Sequence, residues 1–81
     1  MDKREEWIAR VKVESPTCYT EVIRQANRPD LIVSIYPSDE LMGLMHWVID
    51  AGDSFWLDAL PTREEAIKLC HEMGWKIGDA K

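Results

Sequence analysis

The stretch from residue 44 to residue 60 constrains the fold more than any other part of the chain. Two apolar, strand-prone runs, residues 44–50 and 55–60, flank Ala51-Gly52-Asp53-Ser54. A connection of two or four residues there makes a β-hairpin. It sets Asp50 opposite Phe55, Ile49 opposite Trp56, Val48 opposite Leu57, Trp47 opposite Asp58, His46 opposite Ala59 and Met45 opposite Leu60. Successive side chains alternate between faces. One face then collects His46, Val48, Asp50, Phe55, Leu57 and Ala59. The other collects Met45, Trp47, Ile49, Trp56, Asp58 and Leu60. Both faces are largely apolar, whereas a hairpin wetted on one side shows only one apolar face. The fold must therefore bury both faces or leave one for a partner.

The flanking segments supply the covering elements. Residues 7–13 alternate, with Trp7, Ala9, Val11 and Val13 on one side, which suggests a half-buried strand. Trp7, Ile8 and Val11 also share a helical face, so a helix competes. Ser15-Pro16 has the form of a helix start, serine as cap and proline in the first turn. Tyr19, Val22, Ile23 and Ala26 follow at helical spacing, and Pro29 closes the segment. Residues 31–36 form a short β-branched run, read as a buried strand. Thr62-Arg63-Glu64-Glu65 fits a capping box, Ala66, Cys70 and Met73 give the helix its buried stripe, and Gly74 supplies a left-handed stop. Residues 75–77 can add a short edge strand.

The expected fold is therefore a single α+β domain over residues 1–81. It has a mainly antiparallel sheet of three or four strands and two helices, in the order β-α-β-β-β-α. The supply of apolar side chains suits a small globular core: 46% of the residues are hydrophobic and four are tryptophan. That argues against intrinsic disorder. No run approaches the ~18 apolar residues of a membrane helix, and the first residues lack a secretory signal. The two cysteines, Cys18 and Cys70, form no Cys-x-x-Cys. A secreted domain this small usually carries several disulfides, so both are read as reduced and the protein as cytoplasmic.

The net charge is −5, and its placement narrows the partners. Residues 1–30 carry six acids and six bases, and residues 62–81 carry four of each. Residues 31–61 carry Asp39, Glu40, Asp50, Asp53 and Asp58 without one Lys or Arg. Polyanion binding needs clustered cations, so direct nucleic-acid binding is not expected. No membrane contact is expected either.

The candidates for chemistry are few. His71 sits near a helix C-terminus, where the dipole favours a cation. His46 lies mid-strand among apolar neighbours. Adjacent Cys70 and His71 point about 100° apart on a helix and chelate one metal poorly. No spacing suggests a zinc or calcium site, and no cofactor is expected. Phosphate-binding glycine loops and hydrolase motifs are lacking. Asp58, opposite Trp47, is the one carboxylate flanked by bulky apolar residues.

The order helix, three strands, helix over roughly residues 16–75 resembles that of double-stranded-RNA-binding domains. Thr62-Arg63-Glu64-Glu65-Ala66 resembles the start of their second helix. The resemblance implies a Lys-rich grip on phosphates at that point. Glu64 and Glu65 occupy those positions here, so RNA binding is not carried over and no family is assigned.

Two functions from different classes remain. The first is a non-enzymatic interaction module whose acidic, aromatic middle third docks on a basic protein surface or on a second copy of the chain. Its sharper form is an inhibitor filling the basic groove of a nucleic-acid-handling protein. The contact residues would be Asp39, Glu40, Met45, Trp47, Asp50, Asp53, Trp56 and Asp58. The second is a small ligand-binding domain or enzyme whose site forms on oligomerisation around His46, Asp58 and the tryptophans.

Overall fold

A computed structural model of the chain describes residues 3–40, 43–52 and 55–80. The elements are α1 (Lys3–Glu14), α2 (Tyr19–Ala26), β1 (Ile32–Ser38), β2 (His46–Asp50), β3 (Trp56–Leu60), α3 (Arg63–Met73) and β4 (Lys76–Ala80). They form an α+β fold with one mixed sheet in the order β3-β2-β1-β4. The helix-strand-strand-strand-helix order expected from the sequence is present as α2 to α3. The count of two helices is not: three are present among the described residues, and the first of these elements is a helix.

The position of Val13 explains that correction. A strand over residues 7–13 would bury Val13 alongside Trp7 and Val11. In α1 Trp7 and Val11, one turn apart, are buried, while Val13 is 80% exposed. Glu5 and Glu6 in the first turn and Lys12 in the last suit the helix dipole. Ser15 belongs to the end of this helix, its amide donating to the Val11 carbonyl at 2.8 Å. Pro16 has no amide to continue the ladder, so the chain breaks there. The expected cap at Ser15 is thus replaced by a later start: α2 is capped at Cys18, without a side-chain hydrogen bond.

The second helical signature holds at both ends of the helix, with one half of the capping box altered. Thr62 Oγ1 accepts from the Glu65 amide at 3.2 Å. The Glu65 carboxylate reaches back to the Thr62 hydroxyl, at 3.3 Å, rather than to the Thr62 amide. Gly74 ends α3 at φ 77°, a left-handed conformation that glycine adopts without strain. From there β4 runs parallel to β1, which requires the crossover that α3 provides as it packs across all four strands. Gly78 lies so close to the Ile32 side chain that a Cβ there would collide with it.

All three helices contribute to one core with a single face of the sheet. Trp7, Val22, Val33, Ile35, Ile49, Leu57, Cys70 and Trp75 belong to it. The Trp7 and Trp75 rings meet edge to face, 5.2 Å apart at 82°, and Trp75 Nε1 donates to the Ala26 carbonyl at 3.0 Å. Buried tryptophans need such partners for their N–H groups.

The hairpin register differs from the expected one. Trp47 pairs with Leu60, Val48 with Ala59 and Ile49 with Asp58; Asp50 then pairs with Trp56 across a bulge. The Ala51 amide donates to the Phe55 carbonyl at 2.8 Å, closing the turn. Two residues of that turn, Asp53 and Ser54, lie outside the described residues. The bulge inserts Leu57 as an extra residue. Leu57 and Asp58 are both drawn to the helix side, and Trp56 passes to the opposite face beside Asp50. Burial of Leu57 and the partners waiting for Asp58 account for this choice.

Candidate docking face

Alternation along β1 and β2 divides the sheet. Val33, Ile35 and Ile49 face the helices, and Trp47 and Leu60 pack on the edge of the same core. Ser34, Tyr36, His46, Val48, Asp50 and Trp56 share the other face, and among the described residues no helix packs its core against it. Val48 is nonetheless fully buried, and it is not part of the helix-side core.

A hydrogen-bonded group fixes the uncovered face. Tyr36 donates its hydroxyl to Asp50 Oδ2 at 2.7 Å. The Gly52 amide donates to Asp50 Oδ1 at 2.6 Å. Asp50 is only 7% exposed, so these bonds replace the water its carboxylate would otherwise need. Burial, and then the bond to the Asp50 carboxylate, push the Tyr36 phenol above its usual pKa of 10.0; a hydrogen bond with Trp56 pulls weakly the other way. Beside this group lies an open groove of about 740 Å³, lined by Tyr36, Pro37, Ser38, Asp39, Glu40, Phe55 and Trp56. Asp39 and Glu40 are exposed. The Glu40 amide donates to Ser38 Oγ at 3.2 Å, which folds the end of β1 over.

The expected contact residues are therefore split. Asp39, Glu40 and Trp56 meet at the groove, with Asp50 beneath as a support rather than as a rim charge. Trp47 lies half-buried on the covered side. Met45 is 59% exposed in the approach to β2, next to equally exposed Leu44. Asp53 lies outside the described residues. Asp58 serves the covered side: Trp7 Nε1 donates to its Oδ2 at 3.1 Å, Arg10 pairs with the same oxygen, and the Ala59 amide donates to Oδ1 at 2.8 Å. This carboxylate clamps α1 onto β3. His46 sits on the opposite face from Asp58, with Nδ1 at 2.9 Å from the Leu44 carbonyl. The structure does not bring His46 and Asp58 into one pocket.

Sequence reasoning missed Tyr36 and Phe55 as groove residues, and Trp7 and Arg10 as partners of Asp58. Tyr36 carried a signal, since it shares the parity of Ser34 in β1 and has a polar tip unsuited to a dry core. Arg10 carried none while residues 7–13 were paired as a strand.

Cys70 is fully buried, which pushes its thiol up to about 11; Cys18 is free and exposed. Among the described residues no three His, Cys, Asp or Glu side chains are placed to hold a metal ion, and no helix is long and apolar enough to cross a membrane. No family model matches the chain, and neither a curated protein nor a solved structure matches it.

Proposed function

We propose that the chain is a non-enzymatic interaction module that docks on a basic surface of another protein through the uncovered face of its sheet. The observation that carries this reading is the one-sided packing of all three helices, which leaves Tyr36, Trp56 and the groove beside them open. Charge supports the choice of partner. The segment holding the groove, residues 31–61, has five acids and no Lys or Arg. Such a field steers a basic partner towards the face and repels acidic ones. Tryptophan is a preferred anchor in such contacts. A sharper form of the reading has the chain inhibit a nucleic-acid-handling protein by filling its basic groove. A reducing compartment suits the two free thiols, so we place the protein in the cytoplasm.

Affinity capture from native lysate tests the reading when wild type is run beside Trp56→Ala. Proteins retained by wild type and lost by the variant should be basic and should elute as salt screens the contact. A differential set that is acidic, or indifferent to salt, would refute it.

A further inference from the structure

We infer that the groove between the β1 end and the start of β3 is an arginine-binding site, taking the guanidinium of a partner side chain. The inference rests on the docking face proposed above and names what that face grips. Two aromatic residues of the uncovered face, Tyr36 and Trp56, line the groove together with Asp39 and Glu40; Phe55 borders it while packing against the helix-side core. Planar cations stack on aromatic faces, and guanidinium also forks onto carboxylates, which a compact ammonium does less well.

The walls are held before any ligand arrives. Asp50 anchors the Tyr36 hydroxyl, and the Gly52 amide anchors Asp50. Fixed walls lower the ordering cost of binding. The carboxylates are available as well. The ion pairs among the described residues join Lys3 to Glu6, Arg10 to Asp58, Arg24 to Glu21 and Arg28 to Asp30, and none involves Asp39 or Glu40. The segment itself offers no cation to fill the groove. Charge complementarity therefore selects a cationic occupant, and the flat aromatic lining selects guanidinium.

The test is a nuclear magnetic resonance titration of the isotope-labelled full chain with an alternating Gly/Arg peptide. Gly/Lys and Gly/citrulline peptides of the same length serve as comparisons. Saturable shifts at Tyr36, Asp39, Glu40 and Trp56 with the arginine peptide are expected, with weaker binding of the lysine peptide and none of the citrulline one. Trp56→Ala and the double variant Asp39→Asn, Glu40→Gln should each weaken the arginine peptide by about three- to tenfold. Their amide spectra should otherwise match wild type, and Trp56→Phe should retain part of the affinity. Equal binding of lysine and arginine peptides, or undiminished affinity in the double variant, would overturn the assignment. Poly-L-arginine separates the two levels of the argument. Binding that perturbs residues away from the groove would sink the arginine site and leave the basic-partner reading standing; no binding at all would sink both.

Discussion

Replacing Trp7 by phenylalanine probes the joint between α1 and the sheet. Trp7 is 3% exposed, its ring meets Trp75 edge to face, and its Nε1 donates to Asp58. Phenylalanine keeps a ring near Trp75 but loses the donor and about three buried heavy atoms. Full truncation of a buried tryptophan costs ~3–5 kcal/mol, so the lost atoms account for ~1–1.5 kcal/mol. A hydrogen bond to an ionised acceptor contributes ~1.5–3 kcal/mol, but Asp58 keeps Arg10 and the Ala59 amide, so we take a value below that range, ~1 kcal/mol. The expected loss is about 2–2.5 kcal/mol. At roughly 4–8 °C per kcal/mol for a domain of this size, Tm should fall by about 8–20 °C. Urea denaturation followed by circular dichroism gives the free energy. A double-mutant cycle with Asp58→Asn isolates the bond and should show coupling of ~1 kcal/mol. Additivity within ~0.3–0.5 kcal/mol would mean that Trp7 and Asp58 do not touch, and the account of α1 would fail.

Thr62→Ala should lower stability by about 1 kcal/mol in urea melts, because the Glu65 amide loses its acceptor, while Thr62→Ser should keep most of it. A colourimetric thiol reagent should titrate Cys18 in the native protein and reach Cys70 only in denaturant, since Cys70 is fully buried and its thiol lies at about 11. Tyr36 should make stability fall at alkaline pH. Its phenol holds its proton more tightly when folded, so its contribution is intact below the unfolded value of 10.0 and is lost as pH rises through the raised folded value. Between those two values stability should decline less steeply with pH in Tyr36→Phe.

Local signals in the chain specify structure where the physics is local. Thr62 and Gly74 set the ends of α3 through their own backbone and side-chain atoms, and the structure keeps both. The three central strands and the α+β class also follow from alternation and turn residues. Residues 7–13 were not decided locally, because Trp7 and Val11 fit either period; Val13, left in water, shows that the helix won once Trp75 and Asp58 were there to meet Trp7. The hairpin register failed for the same reason. A turn-based count cannot anticipate a bulge at Leu57, whose position depends on the core below it. That bulge decided the site, since it moved Trp56 to the face where Tyr36 and Asp50 stand. The grouping of Asp39, Glu40 and Trp56 was legible as charge and aromatic content, but the removal of Asp58 to α1 was not.

The parallel pairing of β4 with β1 bears on the order of assembly. The β1–β2–β3 ladders join neighbours in sequence, so closing them costs little chain entropy. The β1–β4 ladder waits for α3 to cross and is the least local pairing in the sheet. Until it forms, β1 presents a free row of amides and carbonyls from Ile32 onward, with Ile32 itself apolar beside it. Another molecule's β4 satisfies that row as well as the chain's own. Refolding at high protein concentration should therefore yield strand-exchanged pairs through β4, and the close seat of Gly78 against Ile32 makes that strand's fit the step that separates rapid closure from exchange.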